Sequence, residues 1–256
     1  MLTVTFPQKR RLARPHDEGA WIGKGEEKVS EQYALLNSEA HRGLMMRADI
    51  GAHPPFVMVT IGEFPAAAAV CPIFFSKDSE TGEFYAGALF GFTEGELLVE
   101  DADKRDALFR PLELQRQGFL ISDENIAVDL AHRRFGDGAS IALFEEDGTP
   151  TEAMRRVQWA LGQLKAGMDA TREYIRELLA LKLIEPVDIS LAFDDGQKLQ
   201  LDGLFTVSRD ALNDLDDAKL VELFRKGYLQ AALSMTFSLN QVAVLARRRN
   251  ARLAAA

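Results

Sequence analysis

His53–Ser76, HPPFVMVTIGEFPAAAAVCPIFFS, decides how the rest of the chain is read. Two apolar runs, Phe56–Ile61 and Ile73–Phe75, bracket an alanine-rich segment, Ala66–Val70. Phe, Val and Ile favour a pleated, half-buried surface, whereas consecutive alanines favour a helical turn. The stretch therefore predicts strand, short helix, strand, and its apolar density predicts core. Glu63 stands where the first strand gives way to the helix, and a carboxylate there complements the positive end of the helix dipole. Burial among apolar neighbours would raise its pKa, which makes it the first candidate general acid or base. A carboxylate capping nearby backbone N–H groups is the simpler reading of the same residue.

Downstream, Lys77–Glu83 is a polar turn, and Phe84–Phe92 (FYAGALFGF) is a strand with Gly87, Leu89 and Gly91 on one face. The glycines leave a shallow surface where another backbone or a flat ligand could approach; a bulged strand under a helix is the favoured alternative. Glu96–Val99 reads as a further short strand, Asp101–Arg105 as a charged loop, and Pro111–Phe119 as a connector. Asn125–Leu130 and Ser140–Phe144 read as strands. Thr149, Pro150 and Glu152 form a helix start signal, followed at helical spacing by Met154, Val157, Leu161 and Leu164, then by Tyr174, Ile175 and Leu178. This predicts one long helix from Pro150 to about Leu183, with Gly162 and Gly167 as points where it could kink, ended by Pro186.

The alternation of Val187, Ile189, Leu191 and Phe193 with polar residues, then Asp195-Gly196, predicts a hairpin whose central turn residues have positive φ. Leu199 and Leu201 lie on its second strand, with a bulge at Gly203. Ser208 and Asp216 or Asp217 open helices, and Gly227 closes one. Ser238 and Gln241 form a capping box for a last helix, with Arg247, Arg248 and Arg249 near its negative end. The expected fold class is α+β: an antiparallel-rich mixed sheet packed against a long helix, with a C-terminal hairpin and helices. Residues 1–30, rich in both charges, are expected as a mobile arm. Residues 31–256 form one domain with sub-lobes at 31–149 and 150–256.

The chain is 47% hydrophobic and 27% charged, the balance of a soluble globular protein. Its net charge of −9 argues against a broad nucleic-acid footprint. One cysteine, Cys71, excludes an internal disulfide. With no signal-peptide core and no long unbroken apolar run, no membrane insertion is expected. The expected location is the cytoplasm, with the cell surface by signal-less export as the alternative.

Phosphate-loop and dinucleotide patterns are absent, and Gly138-Ala139-Ser140-Ile141-Ala142 is a poor match to a nucleophile elbow. Cys71 would need a base such as His53 or His132 beside it to form thiolate; core packing is the favoured reading. His16 and Glu18 have facial-triad spacing, with His41, His53 or His132 as a third ligand. Asp129 and His132 could share a face as metal ligands, or form a surface ion pair. No cofactor is expected.

Glu63-Phe64, Pro72, Phe74, Phe75, Gly91, Leu97-Leu98-Val99, Pro111, Arg116 and Phe119 occur in an order that continues through Asp129, Phe144, Gly148 and Pro150. Ile184-Glu185-Pro186, Gly196, Gly203-Leu204-Phe205, Gly227, Ser238 and Leu239 complete it. In this order the chain resembles the bacterial SapC-like family, from about His41 to the C-terminus. The family usually has an Asn before the Leu-Leu-Val strand and a Trp after it; here Gly95, Glu96 and the charged loop stand instead, and Cys71 replaces a common aromatic. The resemblance implies a non-catalytic binding or assembly protein with an envelope or surface-layer role. The alternative is a cytoplasmic enzyme or accessory protein acting on peptide or protein substrates, associated with TonB-dependent receptors and flavin-dependent halogenase-like enzymes. Glu63, Phe64, Gly87, Gly91 and Arg116 are the candidate binding residues. The implied partner is a protein or peptide, and a homo-oligomer is open.

Overall fold

The computed structural model describes residues 3–5 (backbone only), 33–48, 54–99 and 109–255. His16, Glu18, His53, the loop Asp101–Arg105 and the arm residues 6–30 lie outside the described residues. In chain order the strands are β1 (Thr3–Thr5), β2 (Tyr33–Leu35), β3 (Met45–Met46), β4 (Phe56–Met58), β5 (Ile73–Lys77) and β6 (Phe84–Leu89). Then come β7 (Phe119–Ser122), β8 (Asn125–Asp129), β9 (Ile141–Ala142), β10 (Ile184–Ala192) and β11 (Lys198–Val207). The helices are α1 (Phe64–Ala68), α2 (Leu112–Arg116), α3 (Glu152–Ala180), α4 (Arg209–Asn213), α5 (Asp217–Arg225), α6 (Tyr228–Ser238) and α7 (Gln241–Ala255).

These elements form two compact units, each assembled from separate stretches of chain. The first comprises Met1–Pro15, His53–Pro111 and Gly167–Ala256, the second His16–Ala52 and Leu112–Ala166. The expected sub-lobe boundary at 149/150 falls inside the second unit, and α3 contributes residues 152–166 to it and residues 167–180 to the first.

The first unit is built on a sheet of order β1-β10-β11-β5-β6-β4. The opening stretch supplies β4, α1 and β5, in the predicted sequence of types. Every neighbouring pair in this sheet is antiparallel, so the fold is α+β without the mixed pairing expected. Tyr174 of α3 packs edge-on against Phe64 at 6.0 Å between centroids and tilted against Phe75 at 6.1 Å. Thr3–Thr5, expected in the mobile arm, pairs with Asp188–Ser190 at the sheet edge. β-branched Thr-Val-Thr suits a strand, and β10 offers an open row of backbone partners.

Helix α3 ends at Ala180, six residues before the proline expected to end it. Lys182 takes φ +55°, Leu183 N–H bonds Leu178 O at 2.8 Å, and Lys182 N–H bonds Leu179 O at 3.0 Å. This is a Schellman stop with lysine in the place usually held by glycine. Pro186 lies within β10, paired with Phe205. At the hairpin tip only Gly196 has positive φ; Gly196 N–H bonds Phe193 O, and Phe193 N–H bonds Gln197 O. The loop is thus a turn followed by a glycine bulge rather than the two-residue turn expected. The bulge at Gly203 forms as predicted: Asp202 and Gly203 together oppose Asp188, because the register passes from Ile189↔Leu201 to Val187↔Leu204.

Other expectations shift locally. Residues 96–99 form no strand and are tied to the sheet by Leu98 N–H to Phe90 O at 2.7 Å. The expected connector Pro111–Phe119 contains α2 and the start of β7. Thr151, not Thr149, caps α3, its hydroxyl accepting from Met154 N at 3.2 Å, while Thr149 bonds Asp147 in the preceding turn. Ser208 and Asp216 cap α4 and α5 as expected.

In the second unit, β2-β8-β7 form one small sheet and β3-β9 another. Met46, Phe119, Val128 and Leu143 join Met154, Val157 and Leu161 of α3 in one core. The helical spacing read in sequence is the buried stripe that closes this unit.

Candidate functional site

Glu63 sits at the end of a 3-10 turn, Ile61–Glu63, that leads into α1. Its carboxylate turns back on Thr60, accepting from Thr60 N at 2.8 Å and from Thr60 Oγ1 at 3.0 Å. Thr171 of α3 accepts from Ile61 N at 2.8 Å and donates to Gly167 O at 2.6 Å. A Cβ on Gly167 would lie within 3 Å of Thr60. Gly167 is therefore where the helix admits this turn, and α3 runs unbroken through both Gly162 and Gly167. Phe64, the next candidate, is fully buried against Tyr174.

Cys71 is buried and donates its S–H to Ala67 O at 3.3 Å. Burial pushes its thiol well above the ordinary range, and the charge of Glu63 pushes it further. Such a group stays protonated and is a poor nucleophile.

The glycine-lined strand face is occupied by the chain itself. A Cβ on Gly87 would stand 2.4 Å from the ring of Phe56, which also meets Tyr85 edge-on at 6.0 Å. A Cβ on Gly91 would stand 2.0 Å from the carbonyl oxygen of Glu96. Of the partners foreseen for this surface, the backbone is at Gly91 and the flat group at Gly87 is a side chain of β4.

Around Glu96 lies a cluster that sequence reasoning missed. Its carboxylate accepts from Phe92 N at 2.8 Å and pairs with Arg249 Nη1 at 3.4 Å. Arg249 also bonds Gln197 of the hairpin loop, and its guanidinium lies 4.3 Å from the centre of the Phe193 ring. Arg248 donates to Leu98 O at 3.0 Å. These arginines were expected at the helix's negative end; α7 instead continues to Ala255 and they tie residues 92–98 in place. The arrangement fills the region where the chain departs from the pattern it resembles. No local signal singled them out: Glu96 follows Glu94, and Arg249 is the third of three consecutive arginines.

Ser238, expected to cap α7, is buried within α6. It accepts from Ile73 N at 2.9 Å and donates to Met235 O at 2.6 Å. Among the described residues, Tyr228–Ala255 is long and apolar enough by length and composition to cross a membrane. No such stretch was expected, because Ser234, Asn240 and Gln241 interrupt the apolar run. In this fold Ala232, Met235, Val242 and Leu245 are buried.

In the second unit, Arg116 is buried and forms a two-pronged ion pair with Glu113, one contact being Nε to Oε2 at 2.9 Å. Its Nη1 donates to Phe119 O at 3.3 Å. Asp129 Oδ1 accepts from Ala131 N at 3.0 Å, and His132 Nδ1 accepts from Arg134 N at 3.1 Å. His41 Nδ1 lies 3.0 Å from Asn37 N in a local turn. Among the described residues, no three His, Cys, Asp or Glu side chains are grouped to hold a metal ion.

The comparison that decides kinship covers most of the chain: the SapC family model matches residues 36–245. The chain belongs to the SapC family. No curated protein and no solved structure matches it. Of the residues on which this SapC protein's resemblance was read, Phe64, Phe74 and Phe75 are buried in the first unit and Phe119 lies in the core of the second.

Proposed function

We propose that this SapC protein is a non-catalytic binding or assembly protein that serves the building of the cell envelope or surface layer, working from the cytoplasm. The observation that carries the reading is the placement of aromatic side chains on the surface. Phe224 and Phe237 expose 59% and 60% of their surface in the first unit, and Trp159 exposes 57% in the second. Large exposed aromatics supply the anchors of protein interfaces. The polar candidates point the other way: Glu63, Arg116, Asp129 and His132 each direct hydrogen bonds at this chain's own backbone or side chains. Family membership supports the envelope connection.

Deleting the gene in the host cell and imaging envelopes by cryo-electron microscopy tests this. Loss of surface-layer order, restored by the parent chain and not by a Phe224→Ser/Phe237→Ser variant, is the expected result. An unchanged envelope, or turnover of a substrate that requires Glu63, would overturn it. Fractionation of the same cells tests the cytoplasmic placement.

A further inference from the structure

Helices α6 and α7 follow one another almost without a break. Leu239 keeps helical φ and ψ, and short-range bonds Asn240 N–H to Phe237 O and Val242 N–H to Leu239 O carry the chain across the joint. One side of this rod is locked into the first unit through Ala231, Ala232, Met235, Val242 and Leu245. On the other side Leu233, Phe237, Asn240, Arg247 and Ala251 are exposed, with Val244 half-buried between them. Their spacings alternate between three and four residues, which places them along one stripe. From Leu233 to Ala251 the stripe extends about 27 Å.

The charge carried by α6 and α7 themselves is of one sign. Beyond Glu222 the chain has no Asp or Glu, while it carries Arg225, Lys226, Arg247, Arg248, Arg249 and Arg252. This happens in a chain whose net charge is −9. Lys226 is neutralised by Glu177 and Glu222, and Arg249 by Glu96. Arg225, Arg247 and Arg252 are exposed and form no ion pair among the described residues.

We infer that the outer face of α6–α7 is a docking strip for an acidic amphipathic helix of another protein. A stripe at three-four spacing accepts the ridge of a second helix laid along it. The unpaired arginines select carboxylates beside that ridge. A second copy of this strip is disfavoured, because α7 carries cations and neither helix carries an acid of its own to pair with them. A bilayer surface is disfavoured as well: the stripe is narrow and interrupted by Asn240, whereas an interfacial helix needs a broad apolar face. The inference rests on the binding-protein reading and names the class of partner. Peptide binding and the envelope phenotype are separate readouts, so either can fail while the other stands.

The test uses the full chain and two fluorescein-labelled helical peptides long enough to cover Leu233–Ala251. Both carry Leu at three-four spacing; one has Glu at the flanking positions and the other Lys. In fluorescence anisotropy the acidic peptide should bind at least about tenfold more tightly than the basic one, and more weakly as salt rises. Phe237→Ser, at a side chain already mostly in solvent, should weaken binding about tenfold, and Arg247→Glu with Arg252→Glu should reverse the preference. No binding, equal binding of both peptides, or indifference to Phe237→Ser would overturn the inference. So would a dimer in light scattering that Phe237→Ser abolishes, or co-flotation with phosphatidylserine vesicles that needs Phe237 when the peptide does not bind.

Discussion

Replacing Gly91 by alanine should unsettle this protein far more than the same change at Gly87. The new Cβ at position 91 would lie 2.0 Å from Glu96 O and 2.9 Å from Glu96 C. A close carbon–oxygen contact stands at about 3.3 Å, so backbone must move by more than an ångström. That backbone is held by Leu98 N–H to Phe90 O at 2.7 Å, by Phe92 N–H to the Glu96 carboxylate at 2.8 Å and by Arg249. Overpacking a close-fitted site costs about 1–3 kcal/mol, and an obstruction of tethered backbone puts Gly91→Ala at about 3 kcal/mol or above. Gly91 has no positive φ, so steric contact is the whole effect. At Gly87 the obstruction is the end of the half-buried Phe56 ring, which can swing aside. The loss there is mainly the edge-on contact with Tyr85, about 0.5–1.5 kcal/mol. At about 2–4 °C per kcal/mol for a chain of this size, Tm should fall by about 6–12 °C for Gly91→Ala and about 1–6 °C for Gly87→Ala. Calorimetry with parallel urea titration measures both. A Gly91→Ala variant within a degree of the parent, or equal losses at both positions, would refute the reasoning.

Further outcomes follow from the same geometry. Gly162 faces open space in α3 and Gly167 faces Thr60, so Gly162→Ala should gain about 1 kcal/mol in urea titration, while Gly167→Ala should lose stability by displacing Thr60. Lys182→Gly should gain about 1 kcal/mol by relieving a left-handed backbone, read as a higher urea midpoint at unchanged slope. Glu113→Ala strands a buried guanidinium and should cost about 3–5 kcal/mol, whereas Glu113→Leu with Arg116→Met should recover most of it in the same titration. Native Cys71 keeps its proton above the ordinary value of 9.0 while the unfolded chain releases it, so the unfolded state binds fewer protons and stability declines as pH rises past 9. The slope approaches about 1.4 kcal/mol per pH unit, with buried Tyr174 adding its own above 10; a Cys71→Ala variant should show a shallower decline between pH 9 and 10 in urea midpoints.

The elements legible in sequence were those set by local chemistry. Strand–helix–strand in the opening stretch, the Gly203 bulge, the Ser208 and Asp216 caps and the buried stripe of α3 each follow from residues within a few positions of one another. The misreadings came where a distant partner decided the outcome. Ser238 fits a capping box by spacing, yet Ile73 claims its hydroxyl from 165 residues away. Arg249 fits a helix end by charge, yet Glu96 and Gln197 hold it in the middle of α7. Lys182 stops α3 in a conformation that composition gave no reason to assign to lysine, and the proline four residues on drew the eye instead.

The candidate site was legible in kind and misleading in consequence. Gly87 and Gly91 do mark close approach, as missing side chains in a strand should, but spacing cannot say whether the approaching group is foreign or the chain's own. Phe56 lies 31 positions before Gly87, and its ring lies over that glycine only because β4 and β6 pair with Met58 opposite Gly87. Glu96 reaches Gly91 because the chain folds back at once, a five-residue return that a strand reading of 96–99 conceals. The exposed stripe on α6–α7 is the converse case. Its residues were visible in the sequence throughout, but their spacing does not say which side of the helix the unit buries, and it is the side opposite Leu233 and Phe237. A helix with apolar residues on both sides can bury only one of them within its own unit, and the side left in water is where a partner has something to gain by binding.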